Sequence, residues 1–395
     1  MPKKQYKLTI EPITAVHIGT GEEITPLDYK LSSNLGTKKL PEEMYLKFSS
    51  EKILSRLIES KNTIALSEFE KASTKGNIKE LQIFFQTHCA DFEDLDYPCE
   101  ATKEFKQLYN HNKEKDPYEN AARVNQIYRP AGLKTPCIPG SSLKGAVRTA
   151  VLNKVLYDLP DSYYNNLLDD YDACRNDKAK ERFENKLQSV LLNDYRDAKN
   201  DPFRCVEFGD CSFPAKNSQL VGVLKNISKN KSSGSIHSLD KLQIQAEVIK
   251  GSMMSTYAEG LSIIRINSDL QDTQQVTRSI TMKDIIESCN TFYLTQFSNE
   301  YENFYSESVD TECDLIMQLK KTLTDITEAK NNTFILRVGR WSQVEFVTFG
   351  SDFRNPKTRE VRGQKLGYGG TRTVFNYDGQ YLPLGWCKCE VTEIK

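Results

Sequence analysis

Cys137-Ile-Pro-Gly-Ser-Ser-Leu-Lys-Gly-Ala-Val-Arg148 is the stretch on which the reading of this chain turns. Pro139 and Gly140 fold the chain, and Ser141 or Ser142 is placed to cap a helix that runs over residues 142–157. The first amides of such a helix have no intrahelical acceptor, so they point at whatever anion lies near. Lys144 and Arg148 are four residues apart and therefore share one helical face. A phosphate there would meet free amides, two hydroxyls and two cations in a small volume. The same residues also describe a well-capped helix with solvated basic side chains. A Walker A loop is excluded, because it needs lysine after Gly145, where Ala146 stands.

Working outward from this stretch, Tyr6, Leu8 and Ile10 alternate with Lys7, Thr9 and Glu11, the pattern of a half-buried first strand. A turn-rich segment, His17-Ile-Gly-Thr-Gly, continues to Asp28. A strand is expected over 44–48, followed by a helix over 51–59 capped by Ser49 or Ser50. Residues 67–119 read as short acidic helices, one of them over 77–90, and so as a helical insertion. Strand-like residues 123–129 lead into the helix-start motif, and 161–200 are again acidic and helical.

Asp201-Pro202 breaks the pattern and is taken as a domain boundary. Beyond it, strands are expected over 204–208, 242–249, 261–266, 333–338, 344–349 and 387–392, with helices over 281–297 and 314–323. The polar segment 225–238 is expected to be mobile. Strands interleaved with helices in each half give an α+β class, with two ferredoxin-like (RRM-like) domains, 1–200 and 201–395, the first carrying the insertion at 67–119.

Lysine and arginine number 53 against 54 acidic residues, and the net charge of −1 conceals an uneven distribution. Arg123, Arg129, Lys134, Lys144, Arg148 and Lys154 fall within 120–155, a stretch with no carboxylate. Arg337, Arg340, Arg354, Lys357, Arg359, Arg362, Lys365 and Arg372 fall within 331–375 against Glu345, Asp352 and Glu360. Two basic islands in an otherwise acidic chain suit a groove that follows a polyanion backbone, although each alone reads as a solvated face.

The ten cysteines include no C-x-x-C pair, and Cys387-x-Cys389 on a strand turns both thiols to one face without making a four-ligand cage. Reduced thiols in a cytoplasmic protein are expected. With four histidines (His17, His88, His111, His237) and no H-E-x-x-H, neither a metal nor another cofactor is expected. The first residues lack an apolar leader core, and no uncharged run approaches the roughly 18 residues that span a bilayer, so no membrane partner is expected.

Two further motifs carry chemistry. In Gly363-Gln-Lys-Leu-Gly-Tyr-Gly-Gly-Thr-Arg-Thr373, Gly367, Gly369 and Gly370 permit close approach of a nucleic-acid backbone. Lys365 and Arg372 supply charge there, and Tyr368 supplies a stacking face. Arg372 stands where a dinucleotide fingerprint needs glycine, and the bland alternative is a glycine-rich hairpin turn. In Arg337-Val-Gly-Arg-Trp-Ser342, Arg340 beside Trp341 suits phosphate binding and base stacking, while Trp341 equally reads as core.

The strand followed by His17-Ile-Gly-Thr-Gly21, the helix start Ile138 to Arg148, and Gly367-Tyr-Gly-Gly370 together, in this order, resemble the RAMP superfamily of CRISPR proteins. The length, the segment Pro26-Leu-Asp-Tyr29 and the ending Pro383-Leu-Gly-Trp386 are similar to the Csm subunit that caps the guide-RNA 3′ end in type III-A effectors. The resemblance implies RNA binding without cleavage, a part in guide maturation and antiviral defence, and guide (CRISPR) RNA, Csm backbone and small subunits, and a trimming nuclease as partners. On an RNA-binding reading of the motifs, His17, Ser141, Ser142, Lys144, Arg148, Arg340, Trp341, Lys365, Tyr368, Gly369, Gly370 and Arg372 are expected on RNA.

Target-cutting relatives use an acidic residue in a loop after the first strand, where Glu22, Glu23 and Asp28 stand here. No general acid or metal partner is legible beside them. His17 reads as a general base in an endoribonuclease alternative, or as a hydrogen-bonded structural residue or a polar contact to RNA.

Overall fold

The computed structural model describes residues 4–117, 122–192, 200–229, 236–238, 244–254, 256–267, 279–306, 314–329, 332–354, 360–361, 364–365 and 369–394. Two sheets organise them. The first has the order Thr333–Arg337, Trp386–Ile394, Lys4–Pro12, Gly260–Ile266, Cys211–Ser212, Cys137–Ile138, with Val206–Phe208 also paired to Gly260–Ile266. Its centre joins the two ends of the chain, with Leu8 opposite Val391. The alternation read at residues 6–11 has its cause here: Tyr6, Leu8 and Ile10 lie in the core under the helices Gly140–Tyr157 and Met282–Phe304. Thr281 caps the second of these helices in a box with Asp284.

The second sheet runs Gly19–Ile24, Val124–Ile127, Ile244–Ile249, Gln219–Lys229, Leu95–Ala101, Lys38–Phe48, Tyr29–Leu35. The hairpin Thr371–Tyr377/Gln380–Pro383 also pairs to Gln219–Lys229. Asp378 and Gly379 both have positive φ at its tip, as a two-residue hairpin turn requires.

The α+β class holds, and several local expectations do not. Each sheet takes strands from both sides of residue 200, so 200/201 does not separate two structural units. Asp201 instead starts the turn Pro202–Cys205 and is tied to Arg148. Leu95–Ala101 lies inside the expected helical insertion but is a sheet strand, because Leu95, Tyr97, Cys99 and Ala101 alternate into the core. The helices Thr63–Thr74, Ile78–His88 and Lys103–Asn112 flank it.

Residues 225–229 of the polar segment expected to be mobile belong to Gln219–Lys229, where 225–228 pair with Thr371–Tyr377 and 227–229 with Ile236–Ser238, while 230–235 lie outside the described residues. The turn-rich segment after His17 contains the strand Gly19–Ile24. Residues 344–347 form a helical turn, not a strand, which brings Glu345 and Phe346 into the interior together. Cys387 and Cys389 are both buried, and the described cysteines form no disulfide. Among the described residues no helix is long and apolar enough to cross a membrane.

Candidate functional site

The helix-start motif is built differently from the expectation. The helix begins at Gly140, with Pro139 at its cap position and no side-chain cap, so neither Ser141 nor Ser142 serves as one. The Gly140 amide donates to Asp210 Oδ1 at 2.7 Å, and the amides of Ser142 and Leu143 donate to the Pro139 carbonyl. An internal carboxylate therefore already sits at this helix start, where a phosphate was expected. Gly140 is required by close approach, since a Cβ there would fall 2.1 Å from the Phe208 carbonyl oxygen.

Lys144 and Arg148 share a face as expected, and that face is turned toward Asp201. Arg148 holds both oxygens of Asp201, at 2.7 and 3.0 Å. Lys144 makes no ion pair or hydrogen bond among the described residues, and burial lowers its pKa from the ordinary lysine value. The opposite flank of the helix offers the small residues Ser142, Gly145, Ala146 and Thr149, and these form one wall of an open groove of about 770 Å³.

The remaining walls come from two other peptides and from Phe346 and Val347. Ile18, Gly19, Thr20 and Gly21 contribute from the segment after the first strand, and residues 337–340 and Ser342 from the turn after Thr333–Arg337. Three peptides far apart in sequence thus meet in one concavity of nucleotide size. Along the same helix a second groove of about 720 Å³ borders the first at Thr149 and Val347, and its lining includes Arg148, Asp177, Glu181 and Glu184.

Backbone contacts lock the corner between the motifs. The Arg340 amide donates to the His17 carbonyl at 2.8 Å. Gly339 has φ +92°, and a Cβ there would strike the same carbonyl oxygen at 2.4 Å. Trp341 follows at φ +67°, a region that bulky residues enter at a cost of order 1–3 kcal/mol and that clusters at functional sites. Half-buried, Trp341 packs its ring 4.8 Å from that of His17. Arg340 is exposed beside it, 4.9 Å from the Trp341 ring, and donates to Asn125 Oδ1 at 2.8 Å. No carboxylate pairs with Arg340 among the described residues.

His17 is fully buried, and its Nδ1 lies 2.7 Å from the Glu247 carbonyl oxygen. Burial pushes its pKa down to about 4, opposed by that hydrogen bond and assisted by Arg340. The ring is therefore neutral at physiological pH, with its hydrogen on Nδ1. Because the folded value lies below that of the unfolded chain, the stabilising contribution is complete above about pH 6.5 and is lost as pH falls toward 4. Relative to His17→Gln, the native chain should lose about 2 kcal/mol of unfolding free energy between pH 7 and pH 5. Parallel urea-unfolding curves for the two proteins over that range would contradict the assignment.

The glycine-rich loop is only partly placed. Tyr368 lies outside the described residues, and Lys365 is described only as backbone in the short strand Gln364–Lys365. The Gly369 amide donates to Glu345 Oε1 at 2.8 Å, which seats the loop on the turn that follows Trp341, and Gly370 leads into Thr371–Tyr377.

Arg372 does not face a ligand. It is buried, donates to Glu345 Oε1 at 2.8 Å, and has Nε 2.7 Å from Glu300 Oε1 in an ion contact without hydrogen-bond alignment. Glu300 also holds Arg337 at 2.7 Å. Carboxylates brought from other elements thus neutralise Arg372, just as Asp201 neutralises Arg148.

Of the expected residues, Ser142 and Arg340 line the first groove and His17 and Trp341 back it, Arg148 lines the second, Ser141 is exposed at the helix start, and Lys144 and Arg372 line neither. Thr20, Asn125 and Thr149 are functional candidates that sequence reasoning passed over. Thr20 sat inside a quoted motif, while Asn125 and Thr149 carry no local signal. Among the described residues no group of three or more His, Cys, Asp or Glu side chains is placed to hold a metal.

No curated protein matches this sequence. In fold the chain is similar to one in the cryo-EM structure of a Csm–crRNA–target RNA ternary complex of a type III-A CRISPR-Cas system. The TM-score is 0.61 at 18% identity, over 98% of this chain and 100% of that one. It is likewise similar to the crystal structure of T. onnurineus Csm5, with TM-score 0.58 and 16% identity, over 96% of this chain and 99% of that one. The RAMP superfamily model matches residues 9–366, and the chain belongs to the RAMP superfamily.

Proposed function

We propose that this chain is the guide-RNA-binding subunit of a type III-A Csm effector, capping the 3′ end of the guide and taking part in its maturation. The observation that carries this reading is the meeting of three separated peptides in one groove, with Arg340 at its edge paired to no carboxylate among the described residues. A groove walled by hydroxyls, small residues and backbone suits a stretch of single strand read through its sugar and phosphates. The likeness to a chain of a complex that contains crRNA supports the assignment, as does the likeness to Csm5. Neighbouring Csm backbone and small subunits are the protein partners in this reading, and a trimming nuclease acts on the guide end it presents.

In the same reading the chain holds RNA without cutting it. The hydrogen of His17 is committed to a backbone carbonyl, and its low pKa makes it a weak base. Asp28 accepts a hydrogen bond from Thr25 Oγ1 at 3.1 Å.

Anisotropy titrations of the purified chain with labelled guide RNA at several salt concentrations test the proposal. Arg340→Ala should weaken binding roughly three- to ten-fold, similarly across sequences, and reduce the slope of log K against log salt by about one. Unchanged affinity and slope would remove the groove from RNA binding. RNA recovered from these mixtures should be intact, and cleavage abolished by Asp28→Ala or His17→Ala would establish the endoribonuclease reading instead.

A further inference from the structure

Nothing within the chain requires glycine at position 145. Gly145 stands in the second turn of Gly140–Tyr157, inside an unbroken helix, where glycine is less favourable than any residue but proline. A fold ordinarily places glycine where the backbone is left-handed, where a helix ends, or where another element packs too close for a side chain. None of these holds here. Its φ is not positive and the helix runs on to Tyr157. Beyond the helix's own backbone and its chain neighbours, a Cβ at Gly145 would meet no atom within 4 Å. Gly140 and Gly339, by contrast, each lie against a carbonyl oxygen that a Cβ would strike.

What the missing side chain opens onto is the groove. Gly145 is exposed and lines it, while Leu143, Val147, Ala150 and Val151 bury the opposite face of the helix. Ser142 and Thr149, three residues before and four after, share the face of Gly145 and line the groove with it. Thr149 Oγ1 donates to the Gly145 carbonyl at 3.1 Å, which leaves its lone pairs open to an incoming donor. The wall at Gly145 is therefore bare backbone between two hydroxyls, in the same concavity as Arg340. Backbone groups inside a helix are bonded along its axis, so this wall offers shape at its centre and hydrogen bonds only at its sides.

We propose that a ribose of the RNA strand seats on the helix backbone at Gly145, flanked by the Ser142 and Thr149 hydroxyls, and that the absent side chain sets how deep the strand lies. A Cβ would lift the sugar by about 1.5 Å. That is enough to take it out of hydrogen-bonding reach of both hydroxyls. A sugar carries oxygens on either side of a compact ring and so matches a flat centre with polar flanks. The inference deepens the RNA-binding reading of the groove and rests on it.

The test sets stability against binding. Full chains carrying Gly145→Ala or Gly145→Leu are titrated with labelled guide RNA and unfolded in urea. Alanine and leucine both favour a helix, so the urea midpoint should stay or rise. RNA affinity should fall all the same, roughly three- to ten-fold for alanine and more than about ten-fold for leucine. The loss should be equal for uridine-only and adenosine-only strands, since sugar contacts carry no base information.

Unchanged affinity in both variants, with a native chain that binds RNA, would overturn the contact and leave the functional reading standing. A lowered midpoint would show that the glycine serves the fold, and a loss confined to one sequence would put a base on this wall; either result would also overturn it. Failure of the native chain to bind RNA would sink the functional reading itself.

Discussion

Glu300→Ala should lower the unfolding free energy by about 3–5 kcal/mol, because it leaves a charge buried without its partner. Arg337 is fully buried and takes its carboxylate contact from Glu300 at 2.7 Å, with its remaining neighbours a carbonyl and the rings of Phe346 and Trp386. Arg372 keeps Glu345, but among the described residues Arg337 has no second acid to turn to. Glu300→Gln keeps an acceptor while losing the charge and should fall between the two. As a control, Lys154→Ala, which breaks an exposed pair with Asp158, should change stability by less than about 1 kcal/mol. Urea unfolding followed by tryptophan fluorescence reads all three, since Trp386 lies against this cluster. An effect of Glu300→Ala no larger than the control would mean that the network contributes no stability.

Glu247→Ala should be comparably costly, about 3–5 kcal/mol. Its carboxylate receives Arg129 at 2.8 Å, the Tyr97 hydroxyl at 2.7 Å and the Ile127 amide at 3.0 Å, all buried. Removing it strands three donors, and Arg129 retains Gln219 and the face of Tyr97, 3.6 Å away. The double change Glu247→Leu with Arg129→Met removes both charges and should cost less than Glu247→Ala alone, as expected where desolvation sets the penalty. A double variant less stable than the single one would show that the ion pair itself is net stabilising. Because Glu247 also offers its backbone carbonyl to His17, the single variant should shift the groove corner as well.

Much of the fold was legible, for reasons visible in individual elements. The period-2 pattern at Tyr6, Leu8 and Ile10 marked a strand with one buried face. Ser49, one of the two serines read as a cap, marked the start of Ser50–Glu59. Gln219–Lys229 was missed because its C-terminal part is polar, and its place is set by pairing on both sides. The segment 344–347 was misread because Val-Glu-Phe-Val alternates as a strand would. The left-handed turns at Trp341 and Gln343 rotate it into a helical turn instead.

The sequence by itself singled out the peptides that meet in the groove, which are the segment after the first strand, the turn into the long helix and the Arg340-Trp341 turn, together with a glycine-rich loop whose described residues do not line it. Turn chemistry, capping and periodicity are local, and local residues carry them. Which cations remain available was decided only by the tertiary structure. Arg148 finds Asp201 53 residues away, Arg372 finds Glu345 at 27, and Arg129 finds Glu247 at 118. Ion pairing depends on distance in space and on lost hydration, and neither is encoded in the neighbours of an arginine along the chain.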